Sequence, residues 1–180
     1  MNVIPINVIK VCGVTTAEDA AVAVDAGATA IGFNFARRSP RYVDPQAWMS
    51  QVPVLKVGVF VGDALDLPWL DVAQIHGEGS AYGVAVWRAV KPGQPMRNAD
   101  AYVLDPSEGT GATFDWALAA GLPEKIVLAG GLDASNVAQA IRAAKPWGVD
   151  ACSKLESSPG HKDPVKVREF VAAAREAFQC

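Results

Sequence analysis

The sequence has few histidines and cysteines, no long apolar run and no strong excess of either charge. Its two histidines, His76 and His161, and its three cysteines without a CxxC spacing argue against a metal site and a disulfide framework. The formal net charge of -3 and the lack of a basic stripe argue against nucleic-acid binding. No apolar run reaches the roughly 18–20 residues that span a bilayer, and the amino terminus has no signal-peptide pattern. We therefore expect a cytoplasmic protein that uses no metal and binds neither membrane nor nucleic acid.

Apolar residues are plentiful enough to build one packed core. They make up 51% of the 180 residues, and charged residues make up 19%. These proportions are typical of a globular protein, and the length is typical of one domain. We expect residues 1–180 to form a single domain.

Short apolar runs alternate with helix-like segments along the chain. The eight predicted strands are rich in β-branched and small apolar residues and cover residues 7–14, 28–35, 55–61, 70–77, 83–91, 99–105, 125–131 and 148–156. The five predicted helices cover residues 15–27, 44–52, 114–121, 133–145 and 163–178. This alternation predicts an α/β fold, a parallel eight-stranded (β/α)8 TIM barrel, with an open doubly wound sheet as the alternative.

The crossovers after the third, fourth and fifth predicted strands are unusually short. Their sequences, "GDALDLPW", "EGSAY" and "PGQPMRN", are rich in glycine and proline and too short for full crossover helices. We expect loops or single turns there. The outer faces of these strands would then be covered by the loops or by a second copy of the chain, so the protein is expected to be a monomer or a homodimer.

Polar residues near the ends of several predicted strands share one side-chain parity. If Cys12 points into the barrel, the inward set near the strand ends comprises Lys10, Cys12, Gln74, His76, Asp105, Asp150 and Cys152. A filled barrel interior normally holds branched apolar residues, and burying an unpaired polar group costs about 1–3 kcal/mol. Active sites of such barrels lie at the carboxyl ends of the strands. The pattern therefore predicts an active site there.

Two loops have the position and composition of a phosphate site. "AGGLDASN" follows the seventh predicted strand, and "ACSKLESS" contains the end of the eighth. Phosphate sites of these barrels are built from the loops after strands seven and eight. Backbone N–H groups of a Gly-Gly segment before a helix can approach a phosphate closely. We expect a phosphorylated small-molecule substrate.

Each candidate residue also has a plain structural interpretation. Cys12 alone is more often a buried thiol than a base. Asp105, which precedes a proline, is equally typical of a turn. His161 and Lys162 are expected to lie on the surface of the turn before the last helix.

Seven segments in this order resemble the phosphoribosylanthranilate isomerase family of tryptophan biosynthesis. They are "KVCGVTTAEDA", "GFNFARRSPRYV", "VGVFV", "QIHGE", "VLDPSEGTGATFDW", "LAGGLDASNV" and "GVDACSKLESSPGHKD". The resemblance covers nearly the whole chain and is weak only over residues 62–99. It implies a (β/α)8 barrel that converts N-(5'-phosphoribosyl)anthranilate to 1-(2-carboxyphenylamino)-1-deoxyribulose 5-phosphate by an Amadori rearrangement, without cofactor or metal.

The resemblance also implies roles for individual residues. Cys12 falls on the family's general base, and Asp105 falls on its general acid. Substrate-binding roles are expected for Arg41, which would hold the anthranilate carboxylate, for Asp150, which would contact the sugar hydroxyls, and for His76. The phosphate would be held by Gly130, Gly131, Ser153 and Lys154.

The chemistry requires residues of these types. Ring opening needs a proton on the furanose oxygen, which a carboxylic acid can donate. The Schiff base that results acidifies the C2' proton, which a thiolate can remove. A free thiol has a pKa of about 8.5 and needs nearby positive charge to ionise at neutral pH. Lys10, on the same predicted face as Cys12, is the candidate for that charge.

The sequence departs from the family pattern after the sixth and eighth predicted strands. Cys152, Ser153 and Lys154 stand where the family commonly has Ser-Ser-Gly, so a backbone shape that depends on glycine is in doubt. Ala112 stands where the family often has lysine. In a closed barrel the first and eighth strands are neighbours, which would bring Cys12 and Cys152 together, either as a disulfide or as two separate thiols.

Two other functions are open at this point. A ProFAR-type isomerase of histidine biosynthesis performs the same rearrangement, but it uses an aspartate where this chain has Cys12. A catalytically decayed phosphosugar-binding barrel would need neither Cys12 nor Asp105.

Overall fold

Eight parallel strands hydrogen-bond in chain order into a closed barrel in the computed structural model, which describes residues 7–96, 98–106 and 115–180. The strands are β1 (Val8–Cys12), β2 (Ala30–Asn34), β3 (Leu55–Val61), β4 (Val72–His76), β5 (Ala85–Val90), β6 (Ala101–Leu104), β7 (Ile126–Leu128) and β8 (Gly148–Ala151). The barrel closes because β8 pairs with β1, which places Lys10 opposite Asp150. The predicted (β/α)8 barrel is confirmed, and the open-sheet alternative is wrong.

Three of the five predicted helices are α-helices: α1 (Ala17–Ala26), α2 (Val137–Ala144) and α3 (Pro164–Gln179). The side chain of Thr16 accepts a hydrogen bond from the Asp19 N–H at the start of α1, as expected of a helix cap. Helix α3 packs against α1, α2 and β1. None of the helices within the described ranges is long and apolar enough to cross a membrane.

The predicted helices at 44–52 and 114–121 are only short 3-10 turns, Ala47–Gln51 and Trp116–Ala119. The first turn ends at Val52, which is extended and precedes Pro53. A residue before proline is disfavoured in the α conformation, so a longer helix is blocked there. The segment at 107–114, which contains most of the "GTGATFDW" motif and Ala112, lies outside the described residues.

No helix occurs among the described residues between β3 and β6, as the short crossovers predicted. An aromatic cluster covers part of this outer surface. Its members lie on β2, on β3 and in the neighbouring loops, with ring centroids 5.4–6.4 Å apart: Phe33, Phe35, Trp48, Phe60 and Trp69. Each such aromatic pair is worth about 0.5–1.5 kcal/mol beyond its buried area. Large rings thus cover the outer surface of β3 and the part of β2 that lies next to it.

The barrel interior has an apolar layer and, nearer the carboxyl ends of the strands, a polar layer. The apolar layer is built from inward side chains of β1 to β7 and includes the buried Trp87, which packs edge-on against Trp147. Lys10, Gln74 and Asp150 are buried on the same inward parity nearer the carboxyl ends. The predicted alternation therefore places the polar residues inside the barrel.

The eighth strand is shorter than predicted, and a hairpin follows it. It ends at Ala151 because Cys152 leaves the extended conformation and a 3-10 turn follows at Ser153–Leu155. The hairpin consists of β9 (Glu156–Ser158) and β10 (His161–Lys162). The sequence "SSPGHKD" indicated only a turn here.

Candidate active site

A buried ion pair between Lys10 and Asp150 lies inside the barrel between β1 and β8. The Lys10 Nζ atom donates a hydrogen bond to Asp150 Oδ2 at 2.7 Å, and Lys10 is fully buried. Burial disfavours the ammonium form, but the charges of Asp150 and Cys12 outweigh it, so the pKa of Lys10 is raised. Burial also raises the pKa of Asp150 to about 7, although Lys10 opposes this shift. Lys10 therefore supplies a permanent positive charge at the base of the site.

Cys12 ends β1 directly above this pair and interacts with the thiol of Cys152. The hydrogen bond with Cys152 is the main cause that lowers the pKa of Cys12 well below its usual value. Burial opposes this shift, and the positive charge of Lys10 adds to it. The same hydrogen bond, together with burial, raises the pKa of Cys152. Both cysteines are free thiols, and their pKa values are shifted in opposite directions.

Gly13 follows Cys12 and gives the site its crowded geometry. Its φ of +69° is in the left-handed region, which favours glycine. A Cβ atom at this position would lie 2.6 Å from Arg41 Cδ and 2.8 Å from Cys152 Sγ. The glycine in "KVCG" is thus required for two other site residues to approach Cys12.

Arg41 is held by Glu156, a partner that the sequence did not reveal. The Arg41 Nε and Nη2 atoms donate to the two carboxylate oxygens of Glu156 at 2.7 and 2.8 Å. Lys162 Nζ donates to Glu156 Oε1 at 3.0 Å and to the Cys152 carbonyl oxygen at 3.3 Å. Although burial favours the neutral acid, these two cations keep the pKa of Glu156 below its usual value.

Lys162 is buried, and the expectation that it lies on the surface of a turn is wrong. Its exposed neighbour His161 fits that expectation. The hairpin folds Lys162 back onto Glu156, because the two residues are partners in the β9–β10 register. The opposite charges of the two residues, six positions apart around Pro159 and Gly160, were the available signal.

Asp105 directly follows β6, and its backbone N–H donates to the Val90 carbonyl oxygen at 3.1 Å. It has the same parity as Val103, which points into the barrel. Its charge is among the influences on the pKa of Asp150, after burial and the neighbouring Lys10 and Cys12. Asp105 therefore faces the same cavity as the β1 and β8 residues.

Gln74 and His76 point inward from β4 and contact each other. The Gln74 Nε2 and His76 Nε2 atoms are 3.1 Å apart. Gln74 Oε1 is buried and has no hydrogen-bond partner among the described residues, and the same holds for Asp150 Oδ1. Buried polar atoms are normally hydrogen-bonded, so these two oxygens are suited to bind polar groups of a substrate. The shared parity of Gln74 with His76 was the sequence signal for this residue.

The candidate phosphate residues lie after the neighbouring strands β7 and β8. Gly130 and Gly131 have φ values of +88° and +65°, which few other residues adopt. The Asn136 amide nitrogen donates to the Gly131 carbonyl oxygen at 2.9 Å and holds this loop. Ser153 is half-buried and Lys154 is exposed. Lys154 lies in the 3-10 turn with a negative φ, so the loss of the family's glycine introduces no strain here.

Within the described part of the chain, no group of three or more His, Cys, Asp or Glu side chains is arranged to hold a metal ion. The site instead combines a thiol of lowered pKa with carboxylates and fixed cations on opposite strands. Such a set can move protons between two positions of a bound substrate.

Comparisons with known proteins agree with this geometry. A sequence model of the family described as N-(5'phosphoribosyl)anthranilate (PRA) isomerase matches residues 9–173. The N-(5'-phosphoribosyl)anthranilate isomerase of Solibacter usitatus is 46% identical over 196 residues, which cover 95% of this chain and 98% of the relative. That aligned region is longer than the whole chain of 180 residues, so the relative has residues that this chain lacks.

Two solved structures are similar over the whole barrel. One contains mutually generated monomers of the dimeric phosphoribosylanthranilate isomerase of Thermotoga maritima. It has a TM-score of 0.74 and 29% identity, and the match covers 94% of this chain and 99% of that one. The other is a phosphoribosylanthranilate isomerase in complex with reduced 1-(o-carboxyphenylamino)-1-deoxyribulose 5-phosphate. It has a TM-score of 0.72 and 28% identity, with the same coverage of 94% and 99%.

Proposed function

The chain belongs to the N-(5'-phosphoribosyl)anthranilate isomerase family, a group of aldose–ketose isomerases of tryptophan biosynthesis, and we propose how its residues carry out the rearrangement. The substrate is N-(5'-phosphoribosyl)anthranilate, and the product is 1-(2-carboxyphenylamino)-1-deoxyribulose 5-phosphate. One observation carries the proposal: a thiol of lowered pKa, Cys12, at the carboxyl end of β1. A thiolate at this position can act as a base at neutral pH.

Ring opening is the first step, and Asp105 is its proposed general acid. Asp105 donates a proton to the furanose ring oxygen while the bond between that oxygen and C1' breaks. The lone pair of the anthranilate nitrogen forms the C1'=N bond and leaves a positive charge on the nitrogen. A positioned acid of this kind contributes about 10²–10⁴-fold to a rate.

Proton removal from C2' is the second step, and the Cys12 thiolate is its proposed general base. The electrons of the C2'–H bond form a C1'=C2' double bond, which neutralises the charged nitrogen and produces an enaminol. The Cys12 thiol then returns its proton to C1' while the 2'-hydroxyl proton passes to the Asp105 carboxylate, which yields the ketone and restores both groups. Asp150 holds Lys10 in place through their hydrogen bond, and the positive charge of Lys10 favours the thiolate form of Cys12 before this step.

The other residues bind the substrate in this proposal. The Glu156 pair occupies Arg41 Nε and Nη2, and Arg41 Nη1 would bind the anthranilate carboxylate. The buried Asp150 Oδ1 would accept a hydrogen bond from a sugar hydroxyl. His76 would contact the substrate from β4. The phosphate would lie at the ends of β7 and β8, near Gly130, Gly131, Ser153 and Lys154.

The test is turnover of freshly generated N-(5'-phosphoribosyl)anthranilate, followed by the loss of its fluorescence. Wild type should turn over, and Cys12→Ala and Asp105→Asn should each lose at least about 10²-fold in kcat. Cys180→Ser is the matched control, since Cys180 is an exposed thiol at the other end of the chain. Full activity in Cys12→Ala would reject the proposed base.

An inactive wild type that still binds the reduced product analogue would favour the decayed phosphosugar-binding barrel. The histidine-biosynthesis substrate of ProFAR-type isomerases is the second substrate to test, because that reaction is the same rearrangement. Turnover of that substrate, but not of N-(5'-phosphoribosyl)anthranilate, would overturn the assignment.

Self-association through the loops after β3 and β4 is the proposed oligomeric state. Ala64 N–H donates to the Ser80 carbonyl oxygen at 2.8 Å, so the two loops form one surface. Val61, Leu65 and Tyr82 are exposed on or beside these loops. Light scattering should give the mass of a homodimer for wild type and of a monomer for Tyr82→Ser. A monomeric wild type would exclude this surface as an interface. We also propose a cytoplasmic location.

A further inference from the structure

Two thiols lie side by side at the carboxyl ends of β1 and β8. The ladder between these strands runs from Val8 opposite Gly148 to Val11 opposite Ala151. The next residues along the two segments are Cys12, which ends β1, and Cys152, which follows β8. Neighbouring strands are about 4.8 Å apart, so the two side chains of inward parity are in contact range.

The backbone at two glycines approaches the two sulfur atoms closely. A Cβ atom on Gly13 would lie 2.8 Å from Cys152 Sγ, and one on Gly32 would lie 2.7 Å from Cys12 Sγ. Glycines on both sides thus allow the two sulfurs to approach the backbone closely. Such close packing fixes the side-chain directions, as a positioning role requires.

Cys152 is anchored from the hairpin that follows it. Lys162 Nζ donates to the Cys152 carbonyl oxygen at 3.3 Å and lies 3.9 Å from Cys152 Sγ. Glu156 in turn holds Lys162 at 3.0 Å. The anchor keeps Cys152 beside Cys12 although its backbone has already left the strand conformation.

The charged and titratable groups around Cys12 come from every neighbouring element. They are Lys10 on β1, Asp150 on β8, Cys152 directly after β8, Lys162 on β10, Glu156 on β9, Arg41 after β2 and Asp105 after β6. Two adjacent thiols do not both ionise readily, because like charges repel. Lys10 shares a strand face with Cys12 and favours its thiolate, whereas Lys162 and Arg41 favour ionisation of Cys152. The Lys162 Nζ atom donates a hydrogen bond to Cys152 Sγ, which leaves the S–H proton of Cys152 to point toward Cys12.

We propose that Cys152 is a positioning residue whose S–H group donates a hydrogen bond to Cys12 Sγ and holds that sulfur as an oriented thiolate. The inference rests on the proposed role of Cys12 as the base and extends it to a residue where the resembling family commonly has serine. A serine hydroxyl can donate the same hydrogen bond, whereas alanine and valine cannot.

The first test measures the ionisation of Cys12 without turnover. The background is Cys180→Ser, which removes the exposed thiol, and the readout is the ultraviolet absorbance of the thiolate against pH. A Cys12→Ser variant identifies the signal of Cys12. Cys152→Ala should raise the pKa of Cys12 by about one unit or more, so the absorbance step of its thiolate should move to higher pH by the same amount. Cys152→Ser should keep the pKa within about half a unit of wild type.

The second test separates positioning from phosphate binding. In Cys152→Ala the acidic limb of kcat/KM against pH should move upward by the same shift, while KM changes little. Activity should fall by up to about tenfold at pH values below the raised pKa and recover at higher pH. A raised KM with an unmoved pH profile would instead indicate a role in binding phosphate and would overturn the proposal.

The remaining outcomes are also decisive. Cys152→Val is a second variant without a donor and fills the space of the thiol if Cys152→Ala fails to fold. An unchanged Cys12 pKa in either of these variants, or the same shift in Cys152→Ser, would reject the hydrogen bond. If wild type does not turn over, the proposed function fails, but the absorbance titration still decides whether Cys152 holds the thiolate.

Discussion

The barrel has a helix-covered half and a loop-covered half, which differ in how their outer faces are buried. The helix-covered half comprises β1, β2, β7 and β8, together with the three α-helices. The loop-covered half comprises β3 to β6, where the described crossovers contain no helix. Both halves nevertheless contribute to one closed ladder of strands. Closure of the barrel therefore depends on strand pairing, and the helices serve to cover the outer surface.

The proposed chemistry is divided between the two halves in the same way. Cys12, Cys152 and Asp150 belong to the helix-covered half, where the thiolate and the ion pair are most deeply buried. Asp105 and His76 belong to the loop-covered half. Shortening the crossovers removes none of these positions, because each lies at a strand end. A barrel can thus lose crossover helices and keep its active-site residues.

The largest expected contrast concerns two lysine–aspartate pairs that both have a 2.7 Å contact. Lys10 and its partner Asp150 are fully enclosed in the helix-covered half, whereas Lys56 pairs with the partly exposed Asp71 outside β3. Lys10→Met should lower the free energy of unfolding by about 3 kcal/mol, because it leaves a buried carboxyl without its partner. Lys56 is itself buried, but Asp71 reaches solvent and also accepts a hydrogen bond from the Lys56 backbone N–H, so Lys56→Met should cost less, about 1–2 kcal/mol. Urea denaturation measures both, and equal losses would remove the contrast.

A smaller effect is expected from pH. The pKa of Asp150 is about 7 in the folded chain, chiefly because of burial, and about 3.9 is usual for an unfolded chain. Between these values the folded state binds more protons, so the contribution of Asp150 to stability falls as pH rises from about 4 to about 7. The fall between about pH 5 and 7.5 should be on the order of 2 kcal/mol.

The variant Asp150→Asn supplies the control for this slope. It cannot titrate, so its stability should change less between the two pH values than that of wild type. Cys12 acts in the opposite direction at higher pH, because its lowered pKa makes the folded state release a proton early. A wild-type slope equal to that of Asp150→Asn would contradict the raised pKa.

The smallest expected effect concerns local opening of the two halves. The residues of β5 are mostly half-buried, whereas every residue of β1 is buried. A segment that makes few buried apolar contacts opens locally at a lower free energy than one that makes many. Amide hydrogens of β5 should therefore exchange at least about tenfold faster than those of β1, measured by native-state hydrogen exchange. Equal exchange rates for β5 and β1 would contradict this prediction and would show that loops protect strands as effectively as helices do.

Strand positions and side-chain parity could be predicted from the sequence because both follow from local alternation. The inward set near Cys12 was found this way, since a strand repeats every two residues. The helix predicted at 44–52 is only a turn, because Gln46 is extended and Pro53 keeps Val52 out of the α conformation. A local pattern can predict where a helix ends, but only when the residues that flank the helix are taken into account.

Contacts made by side chains of the loops could not be predicted, although closure of the barrel already indicated that β1 and β8 are neighbours. Arg41 and Glu156 are 115 positions apart, and no local pattern pairs them. The burial of Lys162 depends on the same carboxylate and on a hairpin that resembled a plain turn. The site therefore contains more fixed charge than its motifs indicated.

The pairing of β1 with β8 also determines when the site can form during synthesis of the chain. Lys10 meets Asp150 only after 140 further residues have been made. Until then one edge of β1 has no neighbouring strand, and Cys12 has not met Cys152. Contacts between distant residues form slowly, because a long loop must first be closed. Assembly of the proposed thiolate is thus one of the last events of folding, and an incomplete chain that lacks the eighth strand cannot carry it.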